Sequence, residues 1–252
     1  MRSRRAIHLP YIFICAGATL WVLLVGIATA GEYEIVHGKG QELCEVCQQN
    51  LLRMTEHPAC ERTYDTEIGL AGPEWKPFDV AHHLDTMKQV MKFLRTGNEF
   101  AQDNYVMGEE QYEYHIRASS ARKEQWAYLA QADINNNGKP DHVLRMPGGP
   151  CRRSGEGRSG AYSAPIVVLR DDLRGIDRNL TDLVVQNPER EFRFPGDTTY
   201  QLYSVFTYRG KTYFDRWNDA GVHGESQRST LTIYESRDGK TKKRCQLKEV
   251  FK

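Results

Sequence analysis

The residues best suited to chemistry form one short run, Asp133-Ile134-Asn135-Asn136-Asn137-Gly138-Lys139-Pro140-Asp141. Oxygen-bearing side chains stand at positions 1, 3, 5 and 9 of the run, with a glycine at position 6. A hard cation such as calcium takes about six to eight oxygens, and alternate side chains of a tightly curled loop supply them. The glycine permits the sharp turn that brings the later ligands round. The spacing predicts a Ca2+ site made by Asp133, Asn135, Asn137 and Asp141, with the Lys139 backbone carbonyl as a further ligand. The plainer alternative is a hairpin turn rich in Asn and Gly, residues that tolerate left-handed geometry.

Apolar runs flank the loop at 126–132 and 143–146, so it joins two strands. The pattern D-x-[DN]-x-[DN]-G-x-x-D between apolar strands resembles the calcium loops of the FG-GAP/VCBS repeat families, and less closely dockerin-type and EF-hand loops. The resemblance covers residues 126–146 and occurs once, whereas those families carry several copies, often as propeller blades. It implies a calcium loop and not a propeller. Two of the four side-chain ligands are neutral asparagines, and Leu144 stands where an EF-hand has its bidentate glutamate. Fewer charges imply weak binding.

Five cysteines follow residue 30: Cys44, Cys47, Cys60, Cys151 and Cys245. In an oxidising compartment they should pair, with one left over. The expected bridges are Cys60 with Cys44 or Cys47, and Cys151 with Cys245. Two sharper alternatives use the same residues. Cys44-x-x-Cys47 at a helix start has the spacing of a thiol–disulfide redox pair. Cys44, Cys47, His57 and Cys60 have the ligand types of a zinc site, although zinc competes poorly with disulfide formation outside the cell.

Other groups weigh less. Asp215, Asp219, His223 and Glu225 gather after a strand in a Gly-containing loop, 215–225, able to hold an acid–base pair, which makes a secreted hydrolase the alternative function. No serine elbow or two-histidine zinc motif accompanies them, and no residue is assigned as catalytic. His82 and His83 are adjacent, so they point to different helix faces and do not share a metal easily. Arg145, Arg152, Arg153 and Arg158 surround a glycine-rich loop that could grip an anion, without the pattern of a nucleotide loop. Asn179-Leu180-Thr181 is a glycosylation sequon.

These residues need elements to hold them. Leu43, Cys44, Val46, Cys47, Leu51 and Met54 recur at helical spacing over 41–56, and Pro58 closes that helix. Asp79 caps a second helix striped by Val80, Leu84, Met87, Met91 and Leu94. Residues 31–40 form an extended lead-in and 61–77 a loop. Beyond residue 110 the period changes to two, and 112–116, 126–130, 164–170, 182–186, 201–208, 212–217, 230–235 and 241–247 are predicted strands. Arg209-Gly210-Lys211 and Asp238-Gly239 supply hairpin turns. The expected class is α+β, with N-terminal helices packed on an antiparallel sheet formed by the C-terminal half.

The chain opens with Arg2, Arg4 and Arg5, an apolar run over 11–27 and Ala28-Thr29-Ala30, the pattern of a signal peptide cut after residue 30. The apolar run is long for such a signal, so an uncleaved anchor is the alternative. Residues 1–30 hold three of the 34 basic residues and none of the 33 acidic ones, which leaves the mature chain at a net of −2. That balance argues against a nucleic-acid partner. No second stretch is apolar and long enough to span a membrane. The expectation is a single secreted or periplasmic domain over 31–252, helical and Cys-containing to 108 and mainly β from 109. Its expected role is a non-enzymatic binding or inhibitory module for a protein or glycan outside the cytoplasm.

Overall fold

A computed structural model describes residues 32–54, 62–96, 109–121, 127–146, 163–164, 166–185, 200–219 and 229–250. Strand predominates, in two sheets. The larger has the order β1-β11-β10-β9-β8-β2, with β6 joined in parallel to β8. Its strands are β1 Glu32–His37, β2 Leu70–Ala71, β6 Ser163–Ala164, β8 Tyr200–Tyr208, β9 Lys211–Asp219, β10 Thr230–Arg237 and β11 Lys240–Val250. The smaller sheet, in the order β3-β4-β5-β7, is built from β3 Lys76–Pro77, β4 Tyr128–Ala132, β5 Asp141–Arg145 and β7 Ile166–Leu169. Two hairpins make the centre of the large sheet. Their turns place Arg209 and Gly210, and Asp238 and Gly239, at positive φ, the geometry that matches the right-handed strand twist.

The helices are short and spread through the chain: α1 Glu42–Arg53, α2 Leu84–Thr96, α3 Glu109–Ala121 and α4 Arg178–Val185. The expected class is therefore overturned. Among the described residues there are two sheets instead of one, the strand β1 belongs to the large sheet, and two of the four helices lie in the half expected to be β.

Apolar alternation sorts the chain into layers. Leu43, Cys44, Cys47 and Leu51 of α1 share a cluster with Phe206, Trp217, Leu231 and Leu247 on one face of the large sheet. The other face offers Tyr203, Val205, Phe214 and Tyr234 to Val143, Ile166 and Val168 of the small sheet. The far face of the small sheet, through Leu144, Val167 and Leu169, packs with Met87 and Val90 of α2 and Ile116 of α3. Burying these side chains contributes about 1.5–3 kcal/mol each, which makes the three clusters the main source of stability.

Two segments predicted as strands are helices. In α3 the alternation of Tyr112, Tyr114 and Ile116 is incidental: Ile116 is buried while Tyr114 is 70% exposed. Glu113 meets Arg117 one turn on at 2.8 Å and Lys88 of α2 at 2.6 Å, contacts available only to a helix beside α2. In α4 the Asp177 side chain accepts the Leu180 N–H at 3.0 Å and starts a helix over the β-branched run. Thr181, fully buried, then bonds both the N–H and the carbonyl of Val168 on edge strand β7. Asn179 of the sequon is exposed at the start of this helix.

Candidate functional site

The calcium-type loop spans the β4–β5 hairpin, whose last pair is Ala132 with Asp141. Asn136 at φ 55° and Gly138 at φ 88° provide the two left-handed residues that curl it. Its oxygens meet the loop's own N–H groups. Asp133 accepts from Asn137 at 2.9 Å and Gly138 at 2.7 Å, and Asn135 from Asn137 at 3.2 Å. Asn137 accepts from Lys139 at 2.8 Å, and Asp141 from Ile134 at 2.9 Å. The ammonium of Lys139 reaches across to Asp171 at 2.7 Å, holding the Lys139 pKa up and that of Asp171 down.

Asp141 is the most buried of the predicted ligands, 8% exposed. Burial raises its carboxyl above the ordinary range, the Ile134 N–H opposes this, and the charges of Asp133, Asp177 and Asp171 add to it. A hard cation suits such a donor set, because it offsets carboxylate repulsion and accepts carboxamide oxygens. Among the described residues no three His, Cys, Asp or Glu side chains converge as a metal would require, so the charged part of the set stops at two.

The residue that ties the loop to the fold is Asn136, which lies between the predicted ligand positions. Its Nδ2 donates to the carbonyls of Thr212 (2.9 Å) and Ser236 (3.0 Å), and the Thr212 N–H donates to its Oδ1 at 2.7 Å. A small-sheet loop is thereby fastened to β9 and β10. The clue in the sequence was a third consecutive asparagine, where a turn needs only one.

The cysteines pair differently from expectation. Cys44 is bonded to Cys245, Cα to Cα 5.5 Å apart and 201 residues apart in sequence, joining α1 to β11. This replaces the expected Cys151–Cys245 bridge and any use of Cys44 by Cys60. Gly38 makes the approach possible: a Cβ there would lie 2.4 Å from the Arg244 carbonyl and 2.6 Å from the Cys44 sulfur. Cys47 is a buried thiol whose pKa burial pushes far above the thiol range, with Asp215 adding to the shift. With Cys44 committed to Cys245, neither the redox pair nor the Cys₃His zinc set is assembled. His57, Cys60 and Cys151 lie outside the described residues.

Asp215 stands inside β9, not in a loop. It approaches Arg62 to 3.0 Å and accepts a hydrogen bond from the Tyr64 hydroxyl at 2.8 Å. Tyr64 also stacks on Phe206, centroids 5.0 Å apart. Burial raises the Asp215 pKa, against the pull of Arg62, Tyr64 and the Ser204 N–H. The adjoining cavity, lined by Cys47, Asn50, Arg62 and Tyr64, has room for about one water. Asn50 of α1 holds the segment that carries Arg62 and Tyr64, donating to the Thr63 carbonyl and accepting from the Asp65 N–H. Sequence reading missed Arg62 and Tyr64 because they lie in a segment expected to be loop. Asp219 ends β9, and His223 and Glu225 lie outside the described residues.

The remaining candidates separate. His82 contacts Asp79, while His83 stacks on Phe78 at 4.7 Å. Arg145 stacks on Trp75 at 4.5 Å, and Arg152, Arg153 and Arg158 lie outside the described residues, as does the segment 1–30 expected to be a signal peptide. No helix among the described residues is long and apolar enough to cross a membrane. No family model, curated protein or solved structure matches this chain.

Proposed function

We propose that the chain is an exported binding or inhibitory module in which loop 133–141 holds one weakly bound calcium ion as a structural joint. The observation that carries this reading is the seating of Asn136 on Thr212 and Ser236. It puts the oxygens of Asp133, Asn135, Asn137 and Asp141 where the two sheets meet, so a cation there stiffens the scaffold instead of activating a substrate. The acid once grouped with a hydrolase loop supports the same reading, since Asp215 is buried at 1% exposure and engaged by Arg62 and Tyr64.

The test pairs two measurements on the mature protein. Calcium should raise the melting temperature, and the rise should vanish in Asp133→Ala. A broad hydrolase panel should show no turnover that depends on Asp215. Turnover present in the parent and lost in a folded Asp215→Asn variant would replace the binding reading with the enzyme.

A further inference from the structure

We propose that Arg216 and Thr232, with Tyr203 beside them, form a binding site for a small oxyanion, a carboxylate or phosphate group, in the layer between the two sheets. The three residues lie in one row across adjacent strands, since Arg216 is paired in register with Tyr203 on β8 and with Thr232 on β10. The row shares a face with Phe214 and Tyr234 and looks toward the small sheet.

Arg216 is 6% exposed, and Thr232 is fully buried. The guanidinium bonds the Tyr203 hydroxyl, but among the described residues neither its Nε–H nor the Thr232 hydroxyl has a hydrogen-bond partner. A cation taken out of water needs an anion, and buried donors need acceptors. The buried carboxylates of this sheet are used elsewhere. Asp215 meets Arg62, and Glu235 meets Lys211 and Arg244, both on the face that looks toward α1. No carboxylate among the described side chains ion-pairs with Arg216.

The chemistry of the proposed ligand follows from the donors. An Nε–H with a neighbouring guanidinium N–H makes a fork that matches two oxygens of a carboxylate or phosphate, and a hydroxyl can supply a third hydrogen bond. The strand pairing carries Arg145 of the small sheet, stacked on Trp75, toward this row. Arg145 pairs with Ile166, and two residues earlier Ala164 pairs with Leu202, the neighbour of Tyr203. The inference deepens the binding-module reading by naming a ligand chemistry, but it stands on Arg216 and not on the calcium loop.

The experiment titrates inorganic phosphate, and separately acetate, into the mature protein in chelator at constant ionic strength. It follows the Arg216 Nε–Hε resonance, assigned from its loss in Arg216→Lys, together with the melting temperature. One anion should move the resonance saturably and raise the melting temperature. The rise should disappear in Arg216→Lys, and the apparent affinity should fall about fivefold in the near-isosteric Thr232→Val. The preferred anion distinguishes phosphate from carboxylate. A resonance unmoved by both anions overturns the proposal, as does a rise that persists in Arg216→Lys, which would mark binding elsewhere. If Arg216→Lys fails to fold, the parent's melting-temperature rise and the weaker apparent affinity of Thr232→Val decide, and equal affinities in parent and Thr232→Val overturn the proposal. Because chelator is present throughout, failure of the calcium site leaves this outcome untouched.

Discussion

The side-chain amide of Asn136 pairs with the main chain of Thr212 much as a neighbouring strand would. Its Nδ2 donates to the Thr212 carbonyl at 2.9 Å, and the Thr212 N–H donates back to its Oδ1 at 2.7 Å. A third bond, to the Ser236 carbonyl, spans the ends of two strands. One residue thus couples the hairpin of the small sheet to the middle of the large one.

Asn136→Ala should cost about 2–4 kcal/mol in urea unfolding. Three hydrogen bonds are lost at roughly 1 kcal/mol each, and alanine adds strain of about 1 kcal/mol at positive φ. Asn136→Gly removes the bonds without the strain, so it should cost roughly 1 kcal/mol less than alanine. Two variants both indistinguishable from the parent would show that the joint contributes nothing.

With two carboxylates the proposed calcium site should have a dissociation constant on the order of 10⁻⁴–10⁻³ M. Millimolar calcium would then add only about 0.4–1.4 kcal/mol. A thermal scan should show a rise of a few degrees at most. Equal melting curves in calcium and chelator would return the stretch to an ordinary turn.

Asp141 sets a pH dependence whose sign follows from its raised carboxyl. In chelator its native-state pKa lies above the ordinary 3.8. Its contribution is therefore fully present below the unfolded value and lost as pH rises through the native one. Asp141→Asn keeps an acceptor for the Ile134 N–H and removes the charge. Its stability relative to the parent should rise with pH across that window in chelator and reverse in calcium, where the carboxylate becomes a ligand. Parallel stability–pH curves for parent and variant would exclude this role.

Non-reducing peptide mapping should recover Cys44 joined to Cys245, with Cys47 alkylated only after unfolding. Reduction should destabilise the fold by about 5 kcal/mol on the chain-entropy model, because the bond closes a loop of 201 residues. A Cys44–Cys47 or Cys44–Cys60 peptide as the main product would contradict the pairing.

Removing one partner of a buried ion pair strands the other. Asp215→Ala should cost about 3–5 kcal/mol in denaturant unfolding, and adding Arg62→Met should recover most of it. Additive losses in the double variant would mean that the two side chains do not act as a pair.

Local signals in the chain determined what depends on neighbours in sequence. The two hairpins at Arg209-Gly210 and Asp238-Gly239, helix α1, the apolar stripe of α2 and the strands flanking loop 133–141 all follow from periodicity and turn chemistry. Those interactions span a few residues, so the sequence displays them directly. Tertiary structure decided the rest. The alternation in 112–116 and the β-branched end of 178–185 suit a strand locally, but Glu113 reaching Lys88 and Thr181 reaching Val168 hold both as helices. Three nearby cysteines invited a local bridge, yet α1 folds back on β11 and brings Cys245 to Cys44. Arg62 meeting Asp215, Asn136 meeting Thr212, and Arg216 sharing a row with Thr232 are equally invisible in a linear reading. Each depends on which sheet face a side chain takes and what the opposite layer presents to it, and that is settled only when distant segments pack.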